Sequence, residues 1–112
     1  MVRIGLSVEG TTEERFVKQV LCPHFLSFNI HLVPISMKGN ISLERVASEL
    51  KKLAYNFDHI STFYDFYGFK RRPAEARNGD DLAKMLVELV GDGVSKRLIP
   101  YIQMYEFESL LF

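Results

Sequence analysis

Apolar residues recur with two different periods along the chain. A strand is predicted over residues 2–8, where apolar side chains occupy every second position: Val2, Ile4, Leu6 and Val8. A helical period follows and predicts a helix over residues 11–26, with Pro23 as a kink or break. Thr11 and Glu14 have the spacing of a capping box at its start.

The remainder of the chain continues this alternation. Strands are predicted over residues 30–37, 60–64 and 98–105, and helices over residues 42–56 and 82–90. Residues 66–80 are predicted to be a loop, and a last helix is expected to begin near Glu106. Pro100 has no N–H to donate to a ladder, so the fourth strand should lie at an edge or begin after it.

Strands that alternate with helices indicate an α/β fold. We expect a Rossmann-like, mostly parallel four-stranded sheet with helices on both faces. A chain of 112 residues with 47% hydrophobic residues suits one domain over residues 1–112. The sequence stops within the apolar run Leu110-Leu111-Phe112, so we expect a longer natural chain and a homo-oligomer formed through this tail.

Composition narrows the function only a little. Lysine plus arginine and aspartate plus glutamate number 14 each, so the net charge gives no argument for nonspecific binding to nucleic acid. The single cysteine, Cys22, fits a reducing cytoplasm, where we expect the protein to reside. No apolar stretch approaches the roughly 20 residues of a membrane span.

Acidic residues follow three of the predicted strands. Glu9, Asp65 and Glu106 occupy these positions, with Glu108 two residues further on. Because the carboxyl ends of parallel strands meet at one edge, where such sheets bind ligands, we expect these acids to converge. Carboxylates are the ligands that Mg²⁺ prefers, so the pattern predicts a Mg²⁺ or Mn²⁺ site, with Glu13 as a further ligand.

Each acid also has a structural explanation, and the sequence leaves both open. Glu13 and Glu14 lie in a first helical turn, where carboxylates interact favourably with the helix dipole. Asp65 could satisfy backbone amides of a turn, and Glu106 and Glu108 could begin the last helix.

The segment Lys70-Arg71-Arg72 is the one concentrated basic stretch. It follows Asp65 and could bind the phosphate backbone of a nucleic acid, although three basic residues in a surface loop are often simply solvated. The aromatic residues around Asp65 could stack on bases or pack in the core: Tyr64, Phe66, Tyr67 and Phe69.

Three segments resemble a known family. Val8-Glu9-Gly10-Thr11-Thr12-Glu13 resembles the VEGxTE signature that opens Toprim-type domains. Residues 64–68 (YDFYG) and 99–112 (IPYIQMYEFESLLF) resemble later blocks of the DUF4276 family, a family of unknown function. The resemblance covers nearly the whole chain.

The resemblance implies a Toprim-like fold with a Mg²⁺ site. Glu9 would match the Toprim glutamate, a general acid/base or metal ligand, and Asp65 the first of two paired aspartates. Tyr67 stands where the second aspartate belongs, and tyrosine is a poor Mg²⁺ ligand, so Glu106 or Glu108 would have to compensate. The function implied is Mg²⁺-dependent hydrolysis of phosphodiesters, or phosphotransfer, in defence or DNA maintenance. A noncatalytic module that binds nucleic acid or protein is the alternative.

Overall fold

Five parallel strands form the centre of the structure, a computed structural model that describes residues 1–104. They are β1 (Val2–Val8), β2 (Ile30–Ser36), β3 (His59–Asp65), β4 (Leu98–Ile99) and β5 (Ile102–Gln103). β1 lies between β2 and β3, while β4 and β5 both pair with the other side of β3. The predicted α/β fold with a parallel sheet is confirmed. The last helix expected near Glu106 falls outside the described residues.

The fourth strand is not continuous, which corrects the prediction of one strand over residues 98–105. β4 and β5 are separated by Pro100 and Tyr101. The Thr62 hydroxyl takes over the pairing of Tyr101, accepting from its N–H at 2.8 Å and donating to its carbonyl at 2.7 Å. The Thr62 side chain thus takes the place of a backbone partner for Tyr101, next to Pro100, which has no N–H group. Among residues 1–104, β4 is an edge strand, as expected from Pro100.

Five α-helices lie between the strands: α1 (Thr11–Phe16), α2 (Cys22–Leu26), α3 (Leu43–Leu53), α4 (Gly79–Val90) and α5 (Asp92–Ser95). A π-helical turn, Val17–Leu21, joins α1 to α2, so helical backbone covers the predicted residues 11–26. This irregular turn comes just before Pro23, whose ring cannot follow regular α-helical hydrogen bonding.

Side chains cap the starts of α3 and α4, whereas the side-chain cap predicted at α1 is absent. The capping box at Thr11 is wrong, because Gly10 is the N-cap residue and no side chain caps α1. Ser42 caps α3 by accepting from the N–H of Arg45 at 3.3 Å. Asn78 caps α4 in the same way, which starts this helix three residues before the predicted Leu82 and shortens the loop after β3.

Helices pack on both faces of the sheet, as predicted. α3 and α4 cover one face and share a large core with Ile60 and Tyr64 of β3. α1 and α2 pack on the opposite face, against a smaller core that includes Leu6 and Val8 of β1. None of the helices within residues 1–104 is long and apolar enough to cross a membrane.

Candidate functional site

Glu9 lies where the carboxyl end of β1 meets the turn after β3. The backbone carbonyl of Glu9 accepts a hydrogen bond from the N–H of Gly39 at 2.7 Å, which fixes the chain as it leaves the strand. The carboxylate extends to Gly68, where a Cβ atom would come within 2.6 Å of Glu9 Oε1. Glycine at position 68 therefore makes room for the Glu9 carboxylate.

Asp65 is the last residue of β3, the strand next to β1. It lies opposite Gln103 of β5, and the Gln103 amide donates a hydrogen bond to Asp65 Oδ1. Gln103 is only 7% exposed, and its other amide atom, Oε1, is buried without a hydrogen-bond partner in the described part of the chain. An amide thus orients the Asp65 carboxylate and leaves a buried oxygen acceptor beside it, an arrangement that costs free energy.

A buried pair of hydroxyl groups precedes the two acids along β1 and β3. Ser7, two residues before Glu9, and Tyr64, one residue before Asp65, form a hydrogen bond between Oγ and the phenol oxygen. Burial raises the pKa of Tyr64 well above its ordinary value of 10.0, although the hydrogen bond from Ser7 acts in the opposite direction. Tyr64 is therefore neutral at physiological pH and connects β1 to β3.

The loop after β2 forms another side of the site and is held by Arg45. Its guanidinium donates to the carbonyl of Met37 at 2.7 Å, to that of Asn40 at 3.0 Å, and also to that of Gly39. Lys38 and Asn40 have positive φ angles of 60° and 55°, values that non-glycine residues adopt at a cost. The bonds from Arg45 stabilise this strained turn in the position where Gly39 contacts Glu9.

The basic segment predicted to bind phosphate is partly engaged within the fold. Lys70 donates to the side chain of Asn40, and Arg72 donates to the carbonyls of Phe66 and Phe69 at 3.3 and 3.4 Å. The Arg72 guanidinium also stacks on the Phe66 ring, 4.6 Å from its centroid. These two residues organise the loop after Asp65, and their binding to a phosphate backbone stays a prediction.

Arg71 is exposed like Lys70 and Arg72, but unlike theirs its side chain makes no hydrogen bond within residues 1–104. It also has a positive φ of 55°. It is therefore the residue of the basic segment best placed to meet a ligand from solvent.

Glu13 does not form a group with both Glu9 and Asp65 in the described structure. Glu13 lies in the first turn of α1, with Oε2 3.4 Å from the position of a Cβ at Gly10. Glu106 and Glu108 lie outside the described residues. Within residues 1–104, no group of three or more histidine, cysteine, aspartate or glutamate side chains is arranged to hold a metal ion. Glu9 and Asp65 are the two predicted ligands that lie at the ends of adjacent strands in the described structure.

Sequence reasoning did not single out Ser7 or Gln103. Both are polar residues on strands, and both are buried. A polar residue within an apolar strand was the available signal, but the partner of each residue depends on strand register. The sequence period does not specify that register.

No curated protein sequence and no solved structure matches the chain. A family model described as "Domain of unknown function (DUF4276)" matches residues 8–112, which include Glu9, Asp65 and Gln103. The match begins within β1 and extends over the rest of the chain, so the protein belongs to the DUF4276 family.

Proposed function

We propose that the protein hydrolyses phosphodiester bonds of nucleic acid with the help of Mg²⁺ or Mn²⁺. One observation carries this proposal: two carboxylates, Glu9 and Asp65, lie at the carboxyl ends of adjacent parallel strands, and a glycine makes room for one of them. Ligands of open α/β sheets bind at this edge. The resemblance of the Glu9 segment to Toprim-type domains supports the same chemistry.

The residues present fit a divalent cation of this kind. Mg²⁺ usually binds one or two carboxylates and completes its shell with waters and substrate phosphates, so Glu9 and Asp65 would suffice to hold it. The buried Gln103 oxygen adds a hard donor on the amide that orients Asp65. When bound, such an ion would supply a Lewis acid that activates water and stabilises charge on the phosphate.

The chain itself would position these groups. Gln103 holds Asp65 in one orientation, and the turn at Gly68 receives the Glu9 carboxylate. The exposed Arg71 would meet the phosphate backbone from the solvent side, where an arginine contributes a salt-dependent, sequence-independent attraction. In this proposal, Glu9 and Asp65 bind the ion, and the basic loop binds the phosphate backbone of the substrate.

The direct test is a cleavage assay on single- and double-stranded DNA and RNA. Purified protein is incubated with Mg²⁺, Mn²⁺ or EDTA, beside Glu9→Gln and Asp65→Asn, which remove a charge but keep the shape of each side chain. We expect cleavage that requires the metal and falls by at least about 100-fold in both variants, a loss comparable to that of other electrostatic groups that act on a transition state.

Glu14→Gln is the matched control, because Glu14 lies in the first turn of α1 and has no proposed role in the site. It should cleave like the wild type. Activity that survives in EDTA, or that is unchanged in Glu9→Gln, would contradict the proposal, provided that circular dichroism shows every variant to be folded.

A noncatalytic nucleic-acid-binding module is the second candidate, and Tyr67 favours it. This residue stands where the Toprim resemblance expects a second aspartate, and it is 62% exposed, next to Gly68 at the site. An exposed tyrosine can stack on an unpaired base. If single-stranded nucleic acid binds without cleavage, and Tyr67→Ala weakens that binding while Tyr55→Ala does not, this second function is supported over hydrolysis.

A further inference from the structure

Two exposed basic residues adopt a backbone conformation that is costly for their residue types. Within residues 1–104, four non-glycine residues have positive φ angles. Two of them are Asn29 and Asn40, and asparagine adopts the left-handed conformation comparatively readily. The other two are Lys38 and Arg71, with φ angles of 60° and 55°. Long side chains are uncommon on such a backbone, and residues strained in this way cluster at functional sites.

Lys38 and Arg71 lie on two loops that leave the carboxyl edge of the sheet. Lys38 is in the turn after β2, and the next residue, Gly39, donates its N–H to the carbonyl of Glu9 at 2.7 Å. Arg71 follows β3 and comes three residues after Gly68, which makes room for the Glu9 carboxylate. Both loops therefore contact Glu9, one through its backbone and the other through its side chain.

Hydrogen bonds hold the two loops together. The N–H of Lys70 donates to the carbonyl of Ile41 at 2.9 Å, and the Lys70 ammonium group donates to the side chain of Asn40. Lys38 comes two residues before Asn40, and Arg71 directly follows Lys70. The two strained basic residues thus belong to one connected surface at the edge where the acids lie.

The side chains of Lys38 and Arg71 do not build this surface. Both are exposed, and neither makes a hydrogen bond within residues 1–104. By contrast, Arg45 donates to carbonyls of the turn after β2, and Lys70 connects the two loops. Hydrogen bonds within the fold therefore account for Arg45 and Lys70, but not for the basic side chains at the two strained positions.

We propose that Lys38 and Arg71 bind two phosphates of one nucleic-acid strand beside Glu9, one from each loop. This inference rests on the proposed function, because it concerns the same substrate at the same edge, and it adds Lys38 to the residues that bind phosphate. Phosphate contacts position a nucleic acid without reading its sequence. Two cations on separate loops fix two points of the strand, and so its direction across the acids, whereas Arg71 alone would fix only one.

The salt dependence of binding tests the proposal. Affinity for a short labelled single-stranded DNA is measured by fluorescence anisotropy in EDTA, where the phosphate contacts are separated from the ion. The variants are Lys38→Asn and Arg71→Asn, because asparagine removes the charge but tolerates a left-handed backbone, as Asn40 does in this chain.

Each phosphate contact contributes about 0.7 to the slope of log affinity against log salt concentration for a single strand. We therefore expect each variant to reduce the slope by about 0.7, and the double variant by about 1.4. Lys38→Arg keeps the charge and should keep the slope. The matched control is Lys52→Gln, which removes an exposed positive charge in the last turn of α3 and should leave the slope unchanged.

An unchanged slope in Lys38→Asn, or an equal reduction in Lys52→Gln, would overturn the proposal, provided that circular dichroism shows the variants to be folded. Absence of DNA binding by the wild type would also overturn it. Failure of the proposed function gives a different result. The slopes would then change as expected, but the wild type would not cleave nucleic acid with Mg²⁺ or Mn²⁺, which supports the two phosphate contacts without hydrolysis.

Discussion

At the amino edge of the sheet, charged side chains bind the backbone, whereas at the carboxyl edge two acidic residues lie at the ends of adjacent strands. Arg3 donates to the carbonyl of Asn56 at 2.9 Å, and Arg97 to that of Ala54 at 3.0 Å. Both acceptors belong to the turn after α3, where helix-terminal carbonyls have no partner within the helix. At the opposite edge, Glu9 and Asp65 end two adjacent strands.

Charged side chains therefore have different roles at the two edges of the sheet. The two arginines donate hydrogen bonds to backbone carbonyls at a helix end, which would otherwise have no partner. This structural role requires no ligand. Glu9 and Asp65 end adjacent strands at the edge where open α/β sheets bind ligands, so the role proposed for these two acids requires an added cation. Changes around Glu9 should therefore affect metal binding, whereas changes at the amino edge should affect stability alone.

The largest effect on stability is expected from Gly79→Ala at the carboxyl edge. A Cβ at Gly79 would lie 2.1 Å from the backbone oxygen of Ile102, so α4 and β5 would have to separate. We expect a loss of about 3 kcal/mol in the free energy of unfolding, at the upper end for overpacking, measured by urea denaturation. Gly93→Ala is the control, because a Cβ there meets nothing within 4 Å. Equal stabilities would show that the two elements are not in contact.

Tyr64→Phe should have the next largest effect. It removes one partner of the hydrogen bond with Ser7 and leaves the Ser7 hydroxyl buried, which we expect to cost about 2 kcal/mol. The double variant with Ser7→Ala removes both polar groups and should recover part of this loss. If the two single effects simply add, the hydroxyl groups do not interact.

The same tyrosine predicts a pH dependence. Burial raises the pKa of Tyr64 in the folded state above its ordinary value of 10.0. The stabilising contribution is therefore complete below pH 10.0 and is lost as the pH rises through the raised folded-state pKa. Between the two pKa values the loss is about 1.4 kcal/mol per pH unit. Above pH 10, the free energy of unfolding, measured by urea denaturation, should fall less steeply with pH in Tyr64→Phe than in the wild type. The same pH dependence in both proteins would contradict the assignment.

Arg97→Ala should have a smaller effect, at the amino edge. The Arg97 guanidinium donates to the carbonyls of Ala54 and Phe57 from a partly exposed position. Its removal should cost about 1 kcal/mol in urea denaturation, while Lys96→Ala next to it should cost little. Neither change should alter metal binding or cleavage, and a loss of either with Arg97→Ala would remove the distinction between the edges.

Gly68→Ala should have the smallest effect on stability, but it should weaken metal binding. The new methyl group would meet the flexible end of Glu9 rather than backbone, so we expect a stability change below about 0.5 kcal/mol. The displaced carboxylate should weaken Mn²⁺ binding about tenfold, as for other changes that disturb the orientation of a ligand. Unchanged affinity would show that Glu9 does not need the space at Gly68.

The sequence was sufficient for the fold because the periods of its strands and helices are regular. It placed Glu9 and Asp65 at the same edge because all strands between them are parallel. It could not predict the bond from Gln103 to Asp65, since that contact depends on the register of a strand divided at Pro100. The hydrogen bonds from Arg72 to the carbonyls of Phe66 and Phe69 could not be predicted either, because they depend on the conformation of the loop.

Titration of the protein with Mn²⁺ in a calorimeter tests the central claim most directly, because it measures the ion site without assuming a substrate. We predict one Mn²⁺ bound per wild-type chain and no measurable binding to Glu9→Gln, with both proteins equally folded by circular dichroism. Absence of binding to the wild type, or equal binding to Glu9→Gln, would contradict the claim that the carboxyl edge is a metal site.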